Sequence, residues 1–210
     1  MMKRPKIGIG ALRSCPDESA WENIQVRVAR TQDDLHRVYA MRTLVYMGEQ
    51  NCPFDEEFDG NDLTATHLLA EKDGAPVAAL RMRWFANFAK LERVCLLCSH
   101  RGQSIVQVIV AHGFEIASRK GYRHMIAQVR SDLWPMWNHV MDCQKRPGRA
   151  PLVFSDHHYT EVDIQLPRHP GALSPDSDPY QIIRPEGDWD APGVLDASAE
   201  RSKPDHAAAA

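Results

Sequence analysis

The most organised stretch of apolar and polar positions runs from 90 to 122, KLERVCLLCSHRGQSIVQVIVAHGFEIASRKGY. Val94-Cys95-Leu96-Leu97 is an apolar run too short for a buried helix and typical of a strand covered on both faces. The run that follows predicts a helix over about 103–120, ended by Gly121 as a C-terminal cap. Between them lies a tight turn with Arg101 and Gly102. A strand turning straight into a helix presents free backbone N–H groups and the positive end of a helix dipole, which makes an anion site.

Upstream, residues 24–28 (IQVRV) alternate and predict a first strand. Thr31 with Asp34 has the spacing of a capping box. The helix expected from there to about Met47 puts Leu35, Val38, Arg42 and Val45 along one side. Arg42 is the anomaly in that row: it either snorkels to the surface or points into a cleft. Residues 49–62 (EQNCPFDEEFDGND) carry six acidic side chains, with Phe54 and Phe58 between them to anchor the loop. Such a loop is an acidic surface segment or a binding site for an amine. Residues 67–71 and 76–84 flank a Lys72-Asp73-Gly74-Ala75 turn and predict a hairpin. Arg81 and Arg83 share one face of its second strand; Leu80, Met82 and Trp84 share the other.

Glu92 falls near the start of the next strand, expected over 91–97. Partial burial there raises a carboxyl pKa toward that of a general base; a salt bridge to Arg81 or Arg83 is the alternative. Residues 122–129 predict another central strand. Residues 132–143 predict a short helix with Leu133, Trp137 and Val140 on its apolar face, Asp132 as a possible cap and Pro135 limiting its start. Residues 152–154 and 159–166 predict a final pair of strands, with Val162, Ile164 and Leu166 on one face. The order of elements is α/β, with a single mixed central sheet flanked by helices. Irregular extensions are expected over 1–22 and 168–210. The second is rich in Pro and Asp, yet it holds Tyr180, Ile182, Ile183, Trp189 and Val194, so part of it is expected to dock and part to be disordered.

Composition removes several function classes. A net charge of −3 over 210 residues offers no general nucleic-acid or membrane surface, and Lys3-Arg4-Pro5-Lys6 reads as a solvated tail. The five cysteines are odd in number and do not space a disulfide framework. Cys95 and Cys98 fall three apart on a strand, so they face opposite ways and read as buried thiols rather than a zinc half-site. His157 and His158 lack a partner motif for metal, and no metal is expected. No window approaches a signal peptide or a membrane span, and a reduced cytoplasmic location is expected.

Two stretches carry a family resemblance. Arg42-Thr-Leu-Val-Tyr46-Met-Gly-Glu49-Gln50-Asn-Cys52-Pro53-Phe54, with Glu56, Asp59-Gly60 and Asp62, resembles the helix-and-loop signature of the ElaA-like branch of the GNAT superfamily. Arg93-Val94-Cys95-Leu96 followed by Arg101-Gly102 resembles that superfamily's strand and pyrophosphate turn. The resemblance covers about 24–167 and implies a GNAT-like acyltransferase domain over 23–167. It implies acetyl-CoA or another acyl thioester as co-substrate and a small-molecule or peptide amine as acceptor. It places Val94, Cys95, Leu96 and Leu97 on the pantetheine arm and Arg101, Gly102, Gln103, Ser104 and Val106 on the phosphates. Glu92 becomes the base and Tyr159 the candidate acid. Arg42, Glu49, Phe54, Asp59, Asp62 and Arg81 surround the acceptor, which the acidic loop would favour as a cation.

The departures are as informative. The family's turn commonly has glycine or alanine where this chain has Ser104 and Val106, and a Cβ there obstructs close approach to phosphate. Its frequent general-acid tyrosine has no match among Trp134, Met136 and Trp137. These departures are similar to the acyl-homoserine-lactone synthases, which take their acyl group from an acyl carrier protein. That donor is the alternative, and a non-catalytic binding module on the same fold is a third reading. A second copy of the chain, in a homodimer, is the remaining expected partner.

Overall fold

The computed structural model describes residues 4–5 and 8–202. Lys3 and Lys6 of the basic cluster and the four terminal alanines lie outside the described residues. Arg4 of that cluster is exposed, as a solvated tail would be, and pairs at the surface with Glu18 at 2.8 Å.

The chain begins with a short 3₁₀ turn and α1 (Glu18–Asn23), which runs directly into β1 (Ile24–Val28). Thr31 then starts α2 (Gln32–Arg42) through the expected capping box: its Oγ1 accepts from the Asp34 N–H, and Asp34 Oδ2 accepts from the Thr31 N–H, both at 3.1 Å. The regular helix stops at Arg42, and Thr43–Glu49 continues as wider π-helical turns. Pro53 breaks the chain before α3 (Phe54–Glu57). The hairpin of β2 (Thr66–Lys72) and β3 (Ala75–Trp84) turns at Asp73 and Gly74, both at positive φ. Then follow β4 (Ala89–Leu96), α4 (Ile105–Arg119), β5 (His124–Arg130), α5 (Trp134–Val140), β6 (Cys143–Lys145), β7 (Leu152–Phe154) and β8 (His157–Gln165). The tail adds α6 (Pro179–Ile183) and α7 (Asp196–Arg201).

The eight strands form one sheet in the order β1-β2-β3-β4-β5-β8-β6, with β7 also on β8. Each pair is antiparallel except β4 with β5. Alternation along the strands divides the core between two faces. On one face α4 packs Ile105, Val108, Ile109 and Phe114 against Leu68, Leu80, Met82, Leu91 and Met125. On the other, α2 and the π-helical turns pack Val38, Met41, Val45 and Tyr46 against Leu69, Ala79 and Cys95.

Several expectations change. The first 22 residues are not irregular throughout: Arg13 donates to the Val140 carbonyl and Asp142 to that of Ala11, tying the extension to the end of α5. The helix over 132–143 is shorter than expected, and Asp132 does not cap it; it pairs with Arg130 at 2.5 Å instead. In the tail, Trp189 is only 7% exposed within the α4-side core, while Ile182, Ile183 and Val194 stay exposed. Lys120–Glu186 (2.6 Å) and Arg30–Asp188 (2.6 Å) fasten that segment to the body.

Candidate active site

β4 is bent by an extra residue. Arg81 faces Glu92 and Ala79 faces Cys95, so two steps along β3 oppose three along β4. The surplus is absorbed at Arg93, whose φ is 49°, which makes this a β-bulge. The bulge brings Glu92 and Cys95 onto one face. Three contacts hold it. The Tyr46 hydroxyl donates to the Val94 carbonyl at 2.8 Å, and the Arg93 guanidinium lies 3.0 Å from Glu57 and 4.6 Å above the Phe154 ring.

Beyond the bulge β4 parts from β5. Their parallel ladder joins only 89–91 with 125–127. A pocket of about 410 Å³ opens in the gap. Its lining sorts by strand parity. Leu91, Ala127 and Val129 belong to the α4-side core, and Leu133, Trp137 and Met141 continue that apolar wall. Lys90, Glu92, Gln128 and Arg130 point to the opposite face, where Tyr46, Glu56, Asp59, Arg83, Arg93, Phe154 and Tyr159 complete a polar wall. One side of the gap is therefore apolar and the other charged.

The backbone of β4 is equally divided. The Leu97 N–H donates to the Val77 carbonyl at 3.0 Å. Alternation then turns Cys95, two residues back and paired with Ala79, toward β3 as well, and leaves the Leu96 N–H facing the gap. Of the Cys95, Leu96 and Leu97 expected on a pantetheine arm, only Leu96 turns its N–H to the gap. The Cys95 side chain is buried against α2, and burial pushes its thiol up to about 12. Cys98 lies beyond β4, in a 3₁₀ turn over Cys98–His100, and is exposed, which corrects the expectation that both thiols are buried on one strand; among the described residues no cluster could hold a metal ion.

Glu92 lines the pocket, and the salt-bridge alternative is the one realised. It lies 2.6 Å from Arg81 and 2.6 Å from Lys90. Burial raises its carboxyl, but the hydrogen bond and charge of Lys90 and the charge of Arg81 outweigh burial, and its pKa falls below the ordinary value. The expected upward shift is thus reversed. Tyr159 also lines the pocket, and burial raises its hydroxyl pKa, so it stays protonated at neutral pH.

The acceptor set divides. Asp59 reaches the pocket; Arg42, Asp62 and Arg81 lie behind it. Arg42 is 0% exposed, neither snorkelling nor open to the cleft. It meets Glu57 at 2.5 Å and Asp62 at 2.6 Å. Arg81, 1% exposed, meets Asp59 at 2.7 Å, Asp62 at 2.8 Å and Glu92. Phe58 packs on Arg42 and Tyr39, whereas Phe54 is 61% exposed and does not anchor the loop to the body. Glu49 pairs with Arg101. Four of the six carboxylates are thereby taken by arginines, so the loop does not offer a cationic amine the acidic surface its composition suggests.

At the far end of β4, Arg101, Gly102 and Gln103 are exposed, and Gly102 has a φ of 83°. Ser104, immediately before α4, sits at φ 28°, a left-handed value that favours glycine. Val106 is half-buried against the α4-side core in the first turn of the helix. Gly102, Gln103, Ser104 and Ile105 form one wall of a cavity of about 240 Å³, and Asp17, Ser19, Asn23 and Lys72 form the other.

Tyr46, Lys90, Arg93, Gln128, Arg130, Trp137 and Phe154 are lining residues that the sequence pattern did not single out by role. Lys90 was reachable by parity from Glu92. Gln128 and Arg130 come from β5 and Trp137 from α5, across the gap, while Arg93 depends on the bulge and Phe154 on the pairing of β7 with β8.

The family model described as acetyltransferase (GNAT) family matches residues 28–137. BSU40680 of Bacillus subtilis (strain 168), provisionally named an acetyltransferase, is 36% identical over 90 residues, 41% of this chain and 61% of that protein. The chain therefore spans less than two thirds of that relative's length. An acyl-CoA N-acyltransferase from Pseudomonas aeruginosa shares the fold with a TM-score of 0.60 at 21% identity, over 67% of this chain and 98% of that one. Escherichia coli ElaA does so with a TM-score of 0.57 at 18% identity, over 66% and 98%. The AHL synthase LasI has the fold too (TM-score 0.55, 9% identity, 68% and 89% covered).

Proposed function

The chain belongs to the acetyltransferase (GNAT) family, and from that premise we propose that it is an N-acyltransferase, moving an acetyl or other acyl group from a CoA thioester to the amine of a small molecule or peptide. The observation that carries this is the parted pair β4 and β5, with a pocket running between an apolar and a charged wall. An extended pantetheine arm fits a strand edge with unpaired amides. The thioester then lies beyond the bulge, beside the gap-facing Leu96 amide, with the acceptor on the charged side.

In the proposed reaction the amine nitrogen attacks the thioester carbon, and a C–N bond forms. The Leu96 N–H, facing the gap, supports the developing oxyanion. The C–S bond breaks as the intermediate collapses. Tyr159, kept protonated by burial, supplies the proton taken by the leaving thiolate. The proton lost from the nitrogen leaves through Glu92 and water. Arg81 and Lys90 keep Glu92 ionised, so it acts chiefly by orienting the attacking amine and carrying negative charge beside it.

The test is thiol release from acetyl-CoA across a panel of amines, with acylated product identified by mass. Tyr159→Phe is expected to lower kcat by about 100-fold, the lower end of what a positioned acid contributes, with KM for acetyl-CoA little changed. Unchanged kcat would remove Tyr159 from the reaction. A second donor remains open on a specific ground: Ser104 and Val106 place side chains where close backbone approach to a pyrophosphate is needed. An acyl carrier protein would present pantetheine without the nucleotide. A rise in Tm with millimolar acetyl-CoA supports the first donor; acylation only from a loaded carrier protein supports the second.

A further inference from the structure

Three cations converge on one carboxylate at the bottom of the charged wall. Arg81 holds Glu92 Oε2 at 2.6 Å, and Lys90 holds Oε1 at 2.6 Å. Arg83 comes no nearer than 3.8 Å to the same Oε1, beyond hydrogen-bond distance. Arg81 divides its other bonds between Asp59 and Asp62, and those acids also serve Arg93 and Arg42. Arg130, across the pocket, is matched by its own Asp132. Arg83 is the cation left over: its guanidinium makes no hydrogen bond with any described residue, and its other contact is the Phe85 ring at 5.1 Å. It is 25% exposed, faces Lys90 directly across the β3–β4 ladder, and lines the pocket beside it.

We propose that Arg83 and Lys90 form a carboxylate subsite, so that the acceptor is an amine carrying an acid group rather than a simple cationic amine. The name "acceptor" rests on the acyltransferase reading; the anion site does not. A guanidinium with open donors matches the planar fork of a carboxylate, and the ammonium beside it adds a second charge-assisted bond. Both side chains stand on paired strands, so the subsite is held in place before the ligand arrives. A monoanion suits the wall better than a phosphate, because Glu92 is within 3.8 Å of both cations. The donor's phosphates do not explain the feature either. Residues 90 and 96 face Arg83 and Ala78 on β3, five strand steps or about 17 Å apart, and the turn that would hold those phosphates lies beyond 96.

The experiment uses the full chain and a series of ω-amino acids from glycine to 6-aminohexanoate, each beside its neutral amide. Binding is followed by titration calorimetry without donor, and turnover is followed by thiol release with acetyl-CoA. At least one acid is expected to bind about tenfold more tightly than its amide, the difference a bond to a charged group makes. Arg83→Gln removes that preference through the acid's Kd and KM, the acid losing more affinity than its amide. Arg83→Lys keeps part of it, and Tm of both variants reports that the fold is intact. Equal binding of acids and amides, no binding by any acid, or a preference that survives Arg83→Gln overturns the proposal. A preference lost in Arg83→Gln without acyl transfer to any amine supports the subsite and counts against the acyltransferase reading.

Discussion

The two ends of β4 are built on different principles. At the near end the strand is bulged, backed by 0%-exposed Arg42 and 1%-exposed Arg81, and locked by Tyr46 and Arg93. At the far end the turn is exposed, and its side-chain contacts are surface ones: Arg101 with Glu49, and Lys72 with Gln103 at 2.9 Å. Buried charges must be matched, because an ion stranded out of water costs several kcal/mol, whereas exposed pairs contribute about 0–1 kcal/mol. The near end is therefore intolerant of side-chain change and able to fix atoms for chemistry. The far end depends on backbone conformation.

The sharpest way to break this contrast is at Arg42. Arg42→Met takes from buried Glu57 its hydrogen-bonded arginine, leaving only the Arg93 contact at 3.0 Å, and should destabilise the protein by about 3 kcal/mol in urea unfolding; Arg101→Ala should cost less than about 1 kcal/mol. Comparable losses at both sites would erase the distinction. Acid should act on the same end. The carboxyl pKa values of Asp59, Asp62 and Glu92 are all depressed in the folded protein, against opposing burial, by Arg81, Arg42 and Lys90. Such groups contribute stability that is fully present above their unfolded values, about 4, and lost as pH falls through the lower folded values. Burial raises the Glu57 carboxyl in the same network, so its protonation on acidification offsets part of this loss; Tm should still hold from neutrality to about pH 5 and drop by several degrees by pH 3, and a flat profile would mean that the depressed carboxyls do not outweigh Glu57.

Smaller effects sharpen the picture. Tyr46→Phe deletes the bond to the Val94 carbonyl and should destabilise by about 1 kcal/mol. It should also lower kcat about tenfold through the loosened bulge, with acetyl-CoA affinity within about twofold. A change in affinity alone would place Tyr46 on the donor, not on the bulge. The smallest effect is expected at Ser104. Ser104→Gly relieves the left-handed φ of 28° and should gain up to about 1 kcal/mol. If the turn binds CoA phosphates, acetyl-CoA should also bind more tightly; unchanged affinity would argue for the carrier-protein donor.

Much of the frame was legible because its signals are local. The capping box at Thr31 and Asp34, the hairpin turn at Asp73-Gly74, and the termination of α4 near Gly121 (φ 92°) each involve residues within a few positions. Alternation placed β1, β3 and the Val162–Ile164 face correctly. The bulge was not legible, since it is defined by a slip against β3 rather than by a residue of its own. Arg93 is an unremarkable arginine until its φ of 49° is seen. The acidic loop misled for a related reason. Composition counts its carboxylates but not the arginines that come to meet them.

What the sequence by itself determined is the kind of element at each place and the order α/β, because hydrophobic period, caps and turn residues act between near neighbours. It also determined the family, through the Arg42–Asp62 and Arg93–Gly102 stretches. Only the tertiary structure decided which charges cancel. Arg42 finds Glu57 and Asp62, Arg81 finds Asp59, Asp62 and Glu92, and Arg83 is left short. Electrostatic pairing depends on distance in space, and those partners are brought together by a bulge and by the parting of two strands, neither of which any single stretch of the chain encodes.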